Sequence, residues 1–360
     1  MPKSEAMPPH RAPSHGSDAR ANHSPAEIAR MEAAMKQCET DMAAQRRRQW
    51  EALGARDDVE SRLTHALMAS TVGGASNQPS TAQLLEAAAV AAPDDADVAW
   101  YRAAHCPKDA GCDRDRAIAR VLELEPGNLD GWLMALGEAA RSQHDDATLQ
   151  ALLERAAEAS YYDARDGETF ARLYQATRDL PLPGSCKTPL VVRGWRQLFG
   201  NAPSGPGAAD MAAIWAMAMQ AAEIKAYSPI GKLCRPKDAP LSRERIAACR
   251  SVLAMLASNA SLIDQAVGMS AMVELSAGTP EASAWRERYR NLQWLQAAHA
   301  SNRQFDVESL VRRMIEGEVP AMQAELEAHG RWPAPAGWLP DNERARSLIQ
   351  TGRPPPDPRR

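Results

Sequence analysis

The chain has 360 residues, of which 44% are hydrophobic and only 5% aromatic, with three Phe and six Tyr beside nine Trp. This balance favours packed helices and disfavours sheets, which are rich in β-branched and aromatic residues. The formal net charge of −4 and the pI near 6.1 provide no positive field that attracts nucleic acid, so we predict no nucleic-acid partner.

The N-terminal part carries no feature of export or membrane insertion. Residues 1–30 contain no apolar run, and no stretch of the chain approaches the ~20 apolar residues that span a bilayer. The sequence therefore predicts no membrane span and a cytoplasmic location by default, or a periplasmic one if the true start lies upstream. The six cysteines keep the second location open, because paired cysteines are typical of oxidising compartments.

Ordered structure is expected to begin at Ser24. Residues 1–23 are rich in Pro, Ser, His and Ala and bury too little surface to offset the entropy of ordering, so we predict a disordered segment. Ser24, Pro25 and Glu27 then provide the cap, first-turn proline and capping-box glutamate of a helix. An apolar seam along this helix favours packing on its own chain, with self-association through residues 26–43 as the alternative. The seam consists of Ile28, Met31, Met35, Cys38 and Met42.

Two similar units follow between Pro93 and Ala159. Pro93 and Pro126 are 33 positions apart, and Trp100 and Trp132 are 32 positions apart. A fixed period in this range indicates stacked helix–turn–helix units, which bury their apolar faces against neighbouring copies. The predicted core residues of the repeats are Trp100, Ala117, Leu122, Trp132, Leu136, Leu153 and Ala156.

These units resemble a degenerate tetratricopeptide-type repeat. The likeness is carried by the Pro-x-Asn turn ahead of Trp132 and by the Leu-x-Leu-x-Pro segment behind Trp100. It implies an all-α fold of α-hairpins stacked in a short superhelix, with a groove that holds a protein or peptide partner. It implies no activity and no particular binding residue. A third unit is expected beyond Ala159, with Phe170 in the place of the tryptophan.

The second half is also predicted to be helical and to follow a connection rich in Pro and Gly. Leu190–Val191–Val192 is the one strand-like run in that connection, and it is too short to seed a sheet. The predicted organisation is a disordered segment over 1–23, a helical region over 24–180 with TPR-like repeats in 81–177, a connection over 181–210, a C-terminal helical region over 211–330 and a Pro-rich tail over 331–360.

Two pairs of cysteines bracket short loops. Cys106 and Cys112 lie in the turn of the first unit, and Cys234 and Cys249 flank a loop and the first turns of a helix. Both pairs are candidate disulfides, with unpaired buried thiols as the alternative. A zinc site at the first pair is disfavoured, because five residues separate the thiols and no second pair of ligands lies nearby. The cysteines that we expect to be free are Cys38 and Cys186.

No pattern of a known catalytic or cofactor site is present. The sequence has no phosphate-binding Gly loop, no Gly-x-Ser-x-Gly elbow and no His-Glu-x-x-His helix. His144–Asp145–Asp146 is expected to cap a helix rather than to bind a metal. We therefore predict no catalytic, cofactor-binding or metal-binding residue and no cofactor. The predicted function is that of a non-enzymatic scaffold or adaptor for protein–protein interaction.

Two alternatives stay open at this point. The first is an enzyme whose site is assembled in the C-terminal helical half from residues far apart in sequence. A deep pocket with two or more convergent titratable groups would favour it. The second is an envelope protein stabilised by disulfides, which requires Cα–Cα distances below ~7 Å in both cysteine pairs.

Overall fold

The computed structural model describes residues 24–72, 78–106, 112–199, 205–220, 227–235, 241–300 and 307–355. In these ranges the chain forms seventeen α-helices and a short 3₁₀ helix, Gly184–Lys187, and no β-strand, so the predicted all-α class is confirmed. Residues 1–23, for which we predict disorder, lie outside these ranges. The end of the predicted Pro-rich tail, from residue 356 onwards, also lies outside them.

The helices account for most of the described residues. Within those residues no helix combines the length and the apolar character needed to cross a membrane. In chain order the helices are α1 (Pro25–Gly54), α2 (Val59–Val72), α3 (Thr81–Ala91), α4 (Ala96–Ala104), α5 (Arg114–Leu124), α6 (Leu129–Arg141), α7 (Asp146–Ala156), α8 (Asp166–Thr177), α9 (Pro189–Phe199), α10 (Ala208–Gln220), α11 (Ser228–Leu233), α12 (Arg243–Leu256), α13 (Leu262–Leu275), α14 (Ala282–Ala300), α15 (Val307–Glu316), α16 (Glu318–Ala328) and α17 (Glu343–Thr351).

Several helices start at the capping residues that the sequence provides. The Ser24 hydroxyl accepts from the Glu27 N–H at 3.3 Å and a Glu27 carboxylate oxygen accepts from the Ser24 N–H at 3.0 Å, which confirms the predicted capping box of α1. Asp145 caps α7 through the Thr148 N–H, as the sequence predicts. Caps of this kind typically contribute about 1 kcal/mol each.

Consecutive helices pack side by side from α2 to α7. Each pair of consecutive helices in this range is in contact, and the short connections make these neighbours antiparallel. α7 then packs against α12, and the succession continues through α13 to α14. Side chains on the packed faces are almost fully buried, among them Leu85, Val98, Val121, Leu136, Leu153 and Leu253.

The starts of four of these helices recur with the period expected from the sequence. Asp95 caps α4 and Asn128 caps α6, 33 positions later. Asp113 caps α5 and Asp145 caps α7, 32 positions later. Each cap side chain accepts a hydrogen bond from a backbone N–H in the first turn of its helix. The α4/α5 and α6/α7 pairs are therefore repeated units at the level of their helix ends.

Trp100 and Trp132 occupy positions that are not equivalent. Trp100 is the fifth residue after the cap of α4 and Trp132 is the fourth after the cap of α6, and one residue turns a side chain by about 100° around a helix. The Trp100 indole donates to the Asp130 carboxylate at 2.7 Å, whereas the Trp132 indole donates to the Pro126 carbonyl at 2.9 Å. The equivalence expected for the two tryptophans does not hold.

α8 leaves the succession of hairpins. Its main neighbours are α2, α10 and α15, while α7 packs against α12. Phe170 and Leu173 of α8 are buried in the core that contains Trp100 and Tyr101 of α4. The third unit expected beyond Ala159, with Phe170 in a tryptophan position, therefore differs from the observed packing.

The described residues fall into two compact units. One comprises the described parts of Met1–Ala43 and Leu182–Pro206, and the other those of Ala44–Pro181 and Gly207–Arg360. The predicted connection over 181–210 is thus largely part of the first unit, together with the beginning of α1. In that unit Met31, Cys38 and Met42 are buried within the chain itself. Most of the apolar seam therefore packs within the chain, which leaves little of it for the self-association considered for residues 26–43.

The strand-like run Leu190–Val191–Val192 lies in α9. Pro189 occupies the first position of this helix, where its missing N–H costs nothing, and the Thr188 carbonyl accepts from the Val192 N–H at 3.0 Å. Val191 and Trp195 are buried. The local start signal therefore overrides the strand propensity of two β-branched residues.

The predicted Pro-rich tail contains a further helix, α17. Asn342 caps it by accepting from the Ala345 N–H at 3.0 Å, and Gly352 ends it with φ at +74°, where glycine carries no Cβ penalty. Leu348 and Ile349 are buried against α13 and α14. The prolines before the helix are typical of an extended tail, so the sequence pattern did not predict α17.

Candidate functional site

The two cysteine pairs meet the geometric condition set by the disulfide hypothesis. The Cα atoms are 5.6 Å apart both in Cys106–Cys112 and in Cys234–Cys249, and an S–S bond joins each pair. Residues 107–111, between the first two cysteines, lie outside the described residues. Where the chain is described, no group of three or more His, Cys, Asp or Glu side chains is arranged to hold a metal ion.

Cys38 and Cys186, which we expected to be free, form a third pair. Their Cα atoms are 4.7 Å apart although 148 positions separate them in the chain. Next to this bond the Ser185 hydroxyl donates to the Asp41 carboxylate. All six cysteines are therefore paired, and the disulfide ties α1 to the segment that leads into α9.

The predicted core residues of the repeats are mostly buried, but they do not form one set. Trp100 and Ala117 belong to the core around α2–α5, with Leu122 partly buried at its edge. The other predicted residues lie in a second core, which also contains parts of α11, α12 and α13. They are Trp132, Leu136, Leu153 and Ala156. These residues act in packing.

A buried arginine holds the start of α8 against α4 and the α5–α6 turn. Arg165 donates to Asp97 at 2.9 Å and to Glu125 at 2.7 Å, and only 3% of its side chain is exposed. Its guanidinium carbon lies 5.7 Å from the centre of the Trp100 ring, close enough for a cation–π contact. Burial alone lowers the pKa of Arg165, but the hydrogen bonds to Asp97 and Glu125 outweigh it, and the pKa is raised. The group is fixed as a cation.

The next turn of α8 extends this network. Arg172 donates to Asp97 at 2.7 Å and to Glu60 of α2, and its guanidinium lies over the Tyr101 ring. The Tyr101 hydroxyl lies 3.0 Å from that of Thr169. Burial raises the pKa of Tyr101 to about 12. Two arginines thus pair with three carboxylates around α8, which leaves no positive charge in excess, and we define these five residues as the α8 network.

A second polar cluster joins α14, α15 and α16. The Ser309 hydroxyl and the Arg312 guanidinium both donate to the Glu325 carboxylate. His299 Nδ1 lies 3.8 Å from the other carboxylate oxygen, and Arg313 donates to His299 Nε2. Serine, histidine and glutamate are the residue types of a hydrolytic triad, so their arrangement needs to be tested against that chemistry.

The arrangement of this cluster does not match a nucleophile with its general base. Ser309 donates to the carboxylate, whereas a triad serine donates to the imidazole. His299 Nε2 accepts from Arg313, which occupies the lone pair that a base needs. Burial and the nearby Arg313 lower the pKa of His299. Burial raises the pKa of Glu325, but hydrogen bonds from Ser309 and Arg312 outweigh it and lower the pKa.

A cavity of about 600 Å³ lies among α11, α12, α13, α14 and α17. Its size is within the range typical of small-molecule sites, roughly 300–1,000 Å³. Apolar side chains from three helices line it, including Ile230, Leu253 and Val267. Ser270 and Tyr289 add hydroxyl groups. Burial raises the pKa of Tyr289, so its phenol is neutral and able to donate a hydrogen bond at neutral pH.

Three cationic side chains also line this cavity: Lys232, Arg235 and Arg344. Glu274 of α13 pairs with both arginines, at 3.1 Å from Arg344 and 3.6 Å from Arg235. Arg235 Nε is buried and makes no hydrogen bond. The cavity wall therefore contains more positive than negative groups, which is the arrangement that binds anions.

The disulfide Cys234–Cys249 fixes one wall of the cavity. It joins the end of α11 to the middle of α12, and Cys234 itself lines the cavity. At the other end of α11 the Tyr227 hydroxyl donates to Asp264 of α13. A six-residue helix is too short to hold its own position, so these two anchors determine where Lys232 lies.

Sequence reasoning missed the cavity because its lining residues are spread from Tyr227 to Arg344. Arg235 lies next to a predicted disulfide cysteine, which was the only local hint. Arg344 lies in the segment expected to be a tail, and Glu274 looks like an ordinary surface charge in the sequence. The α8 network was missed for a related reason, because nothing local to Arg165 shows that α8 folds back onto α4.

Comparisons of the chain with protein-family models, with curated proteins and with solved structures give no match.

Proposed function

We propose that the protein is a non-enzymatic helical-repeat scaffold that binds another protein, and that its repeats are of the tetratricopeptide type. The observation that carries this proposal is the recurrence of capped helix starts after 32 to 33 residues in α4–α7. Repeated hairpins build extended surfaces, which bind peptides or helices of partner proteins.

The part of the α2–α7 succession left uncovered by α8 is the proposed partner surface. α8 occupies the side of α4 that carries Tyr101, and the α8 network holds it there. A partner peptide in a groove along α4 would have to displace Phe170, which is fully buried. The proposal therefore assigns the partner to the remaining surface of the hairpins.

The enzymatic alternative receives less support from the polar clusters. In the α8 network the arginines and carboxylates are paired with each other, and at Ser309 the geometry does not fit a nucleophile and base. The cavity contains convergent titratable groups, but those with ordinary pKa values far above 7 predominate there: arginine, lysine and tyrosine. Such groups bind and orient anions more readily than they exchange protons at neutral pH.

A second proposal concerns the compartment. Three pairs from six cysteines support a protein that works in an oxidising compartment, where disulfides persist. Thiol titration of protein exported behind a supplied signal tests this: the expected result is no free thiol under denaturing conditions. Six free thiols would contradict it.

The scaffold proposal is tested by chemical cross-linking in cells of the source, followed by reconstitution of the complex from purified components. The expected result is a stoichiometric complex in light scattering. A Cβ at Gly131 would lie 3.1 Å from Val121 and Leu122, whereas one at Gly137 of the same helix meets nothing within 4 Å. Gly131→Leu should therefore disturb the packing of α5 on α6, distort the hairpin surface and weaken the complex, whereas Gly137→Leu should leave the packing and the complex unchanged. A chain that remains alone in all of these assays would contradict the proposal.

A further inference from the structure

The cavity among α11–α14 and α17 has a charge balance unlike that of the α8 network. Lys232, Arg235 and Arg344 line it, and Glu274 is the carboxylate that pairs with the two arginines. The nearby Asp264 is buried, and it accepts hydrogen bonds from Tyr227 and from other side chains outside the cavity wall. Two positive charges are therefore left without a carboxylate in the described surroundings of the cavity.

The arginines have hydrogen-bond donors to spare. A guanidinium has five N–H donors, and a single carboxylate uses at most a few of those on two arginines. Arg344 donates to Glu274 through one nitrogen, and Arg235 Nε is buried without a hydrogen bond. Arg235 Nε faces the Glu274 carboxylate at 3.6 Å, so an acceptor that reaches this end of the cavity can bond the guanidinium N–H groups that Glu274 does not use.

The rest of the cavity is suited to an apolar group. Ile230, Leu253 and Val267 form much of its wall, and Tyr289 contributes a buried ring. A volume of about 600 Å³ is larger than an inorganic anion occupies and is suited to a small organic molecule. The positive end and the apolar wall together define a ligand with an acidic headgroup and an apolar body.

We infer that this cavity binds a small amphipathic organic anion, with its acidic headgroup held by Arg235 and Arg344. The apolar body lies against Ile230, Leu253 and Val267. The Tyr289 phenol donates a hydrogen bond to the headgroup. The inference does not depend on the proposed scaffold function, because none of these residues belongs to the repeats in α4–α7.

Isothermal titration calorimetry with four compounds tests the inference on the oxidised full-length protein. 4-Phenylbutyrate and phenyl phosphate present carboxylate and phosphate headgroups on an aromatic body. 4-Phenylbutyramide lacks the negative charge of the headgroup, and inorganic phosphate lacks the apolar body. At least one of the two aromatic anions should bind saturably below about 1 mM, and it identifies the headgroup. The amide and inorganic phosphate should each bind at least tenfold more weakly.

Variants locate the binding site. Arg235→Gln and Arg344→Gln should each weaken the aromatic anion roughly tenfold, because a charge-assisted hydrogen bond is lost. Arg178→Gln is the matched control, since Arg178 is half exposed and pairs only with the adjacent Asp179. Ser270→Phe fills the cavity without changing its charge and should abolish binding. Far-UV circular dichroism verifies that each variant is folded.

Each possible result of these titrations either supports or overturns the inference. Saturable binding that requires the charge, the aromatic body and both arginines supports the inference. Equal binding of the amide, binding that is unchanged in Arg235→Gln and Arg344→Gln, or no binding of either aromatic anion at about 1 mM overturns it. None of these results bears on whether a protein partner exists, so the scaffold proposal stands or falls separately.

Discussion

The molecule contains two arginine clusters that differ in their balance of charge. In the α8 network, Arg165 and Arg172 meet three carboxylates and lie against aromatic rings in a packed core. In the cavity, Arg235 and Arg344 share one carboxylate beside an open space. The first arrangement holds a helix in place and leaves no positive charge in excess. The second leaves cationic groups that a ligand can use.

The two clusters also differ in the fraction of their arginine side chains that is exposed to solvent. Only 3% of the Arg165 side chain is exposed, against 51% for Arg344. A buried ion pair that loses one partner leaves an uncompensated charge, whereas a half-exposed pair that loses one partner is resolvated by water. Substitutions at the two sites should therefore affect different properties of the protein, and the following predictions run from the largest expected effect to the smallest.

Arg165→Gln should lower the free energy of unfolding by about 3–5 kcal/mol, because Glu125 loses its buried cationic partner and Asp97 retains only Arg172. Equilibrium unfolding in urea measures the change. The matched control is Arg155→Gln, whose side chain is 61% exposed and 3.6 Å from Glu158, and it should change stability by less than about 1 kcal/mol. Equal losses in the two variants would show that the α8 network contributes no more than a surface pair.

Replacing both Cys234 and Cys249 by Ala should destabilise the chain by about 3 kcal/mol, as the chain-entropy estimate gives for a 15-residue loop. It should also weaken binding of the aromatic anion, because the cavity wall formed by α11 loses one anchor. The matched control is the same double replacement at Cys106 and Cys112, which lies outside the cavity. Unchanged affinity in the Cys234/Cys249 variant would contradict the role given to this disulfide.

Gly268→Ala should cost about 1–3 kcal/mol of unfolding free energy. A Cβ at Gly268 of α13 would come within 2.4 Å of the Ala257 nitrogen and 2.7 Å of the Leu253 carbonyl, which are backbone atoms that cannot move aside. Gly137→Ala is the control in a helix with free space, and it should gain up to about 1 kcal/mol of helix propensity. Thermal unfolding of the two variants should therefore shift in opposite directions.

The smallest predicted effect concerns alkaline pH. Burial raises the pKa of Tyr101 to about 12, above its ordinary value near 10. The stability that depends on the protonated phenol is therefore complete below pH 10 and is lost as the pH rises towards 12. Urea unfolding of wild type and Tyr101→Phe at several pH values tests this. The wild type should lose more stability than the variant over that interval, and parallel curves would contradict the assignment.

Local signals in the sequence predicted most of the helical fold. The caps at Ser24 and Asp145 and the apolar faces behind them determine where helices begin. The capping residues also preserve the repeat period. The predicted equivalence of the two tryptophans was wrong, because Trp132 is offset by one residue from the position of Trp100 relative to the helix cap.

Features that depend on distant pairs were not predictable in the same way. Cys38 and Cys186 are 148 positions apart, and a single sequence contains no local mark of such a pair. The fold-back of α8 onto α4 depends on Arg165 meeting Asp97, 68 positions earlier. The cavity draws its cations from α11, the loop after it and α17. Tertiary packing, rather than local propensity, decides all three.

The most direct test of the distinction between the two clusters compares Arg165→Gln and Arg344→Gln in two assays on the same preparations. Urea unfolding measures stability, and calorimetric titration with the tighter-binding aromatic anion measures affinity. Arg165→Gln should lose stability at nearly unchanged affinity, and Arg344→Gln should lose roughly tenfold in affinity at nearly unchanged stability. Two variants that lose stability and affinity in the same proportion would contradict this distinction.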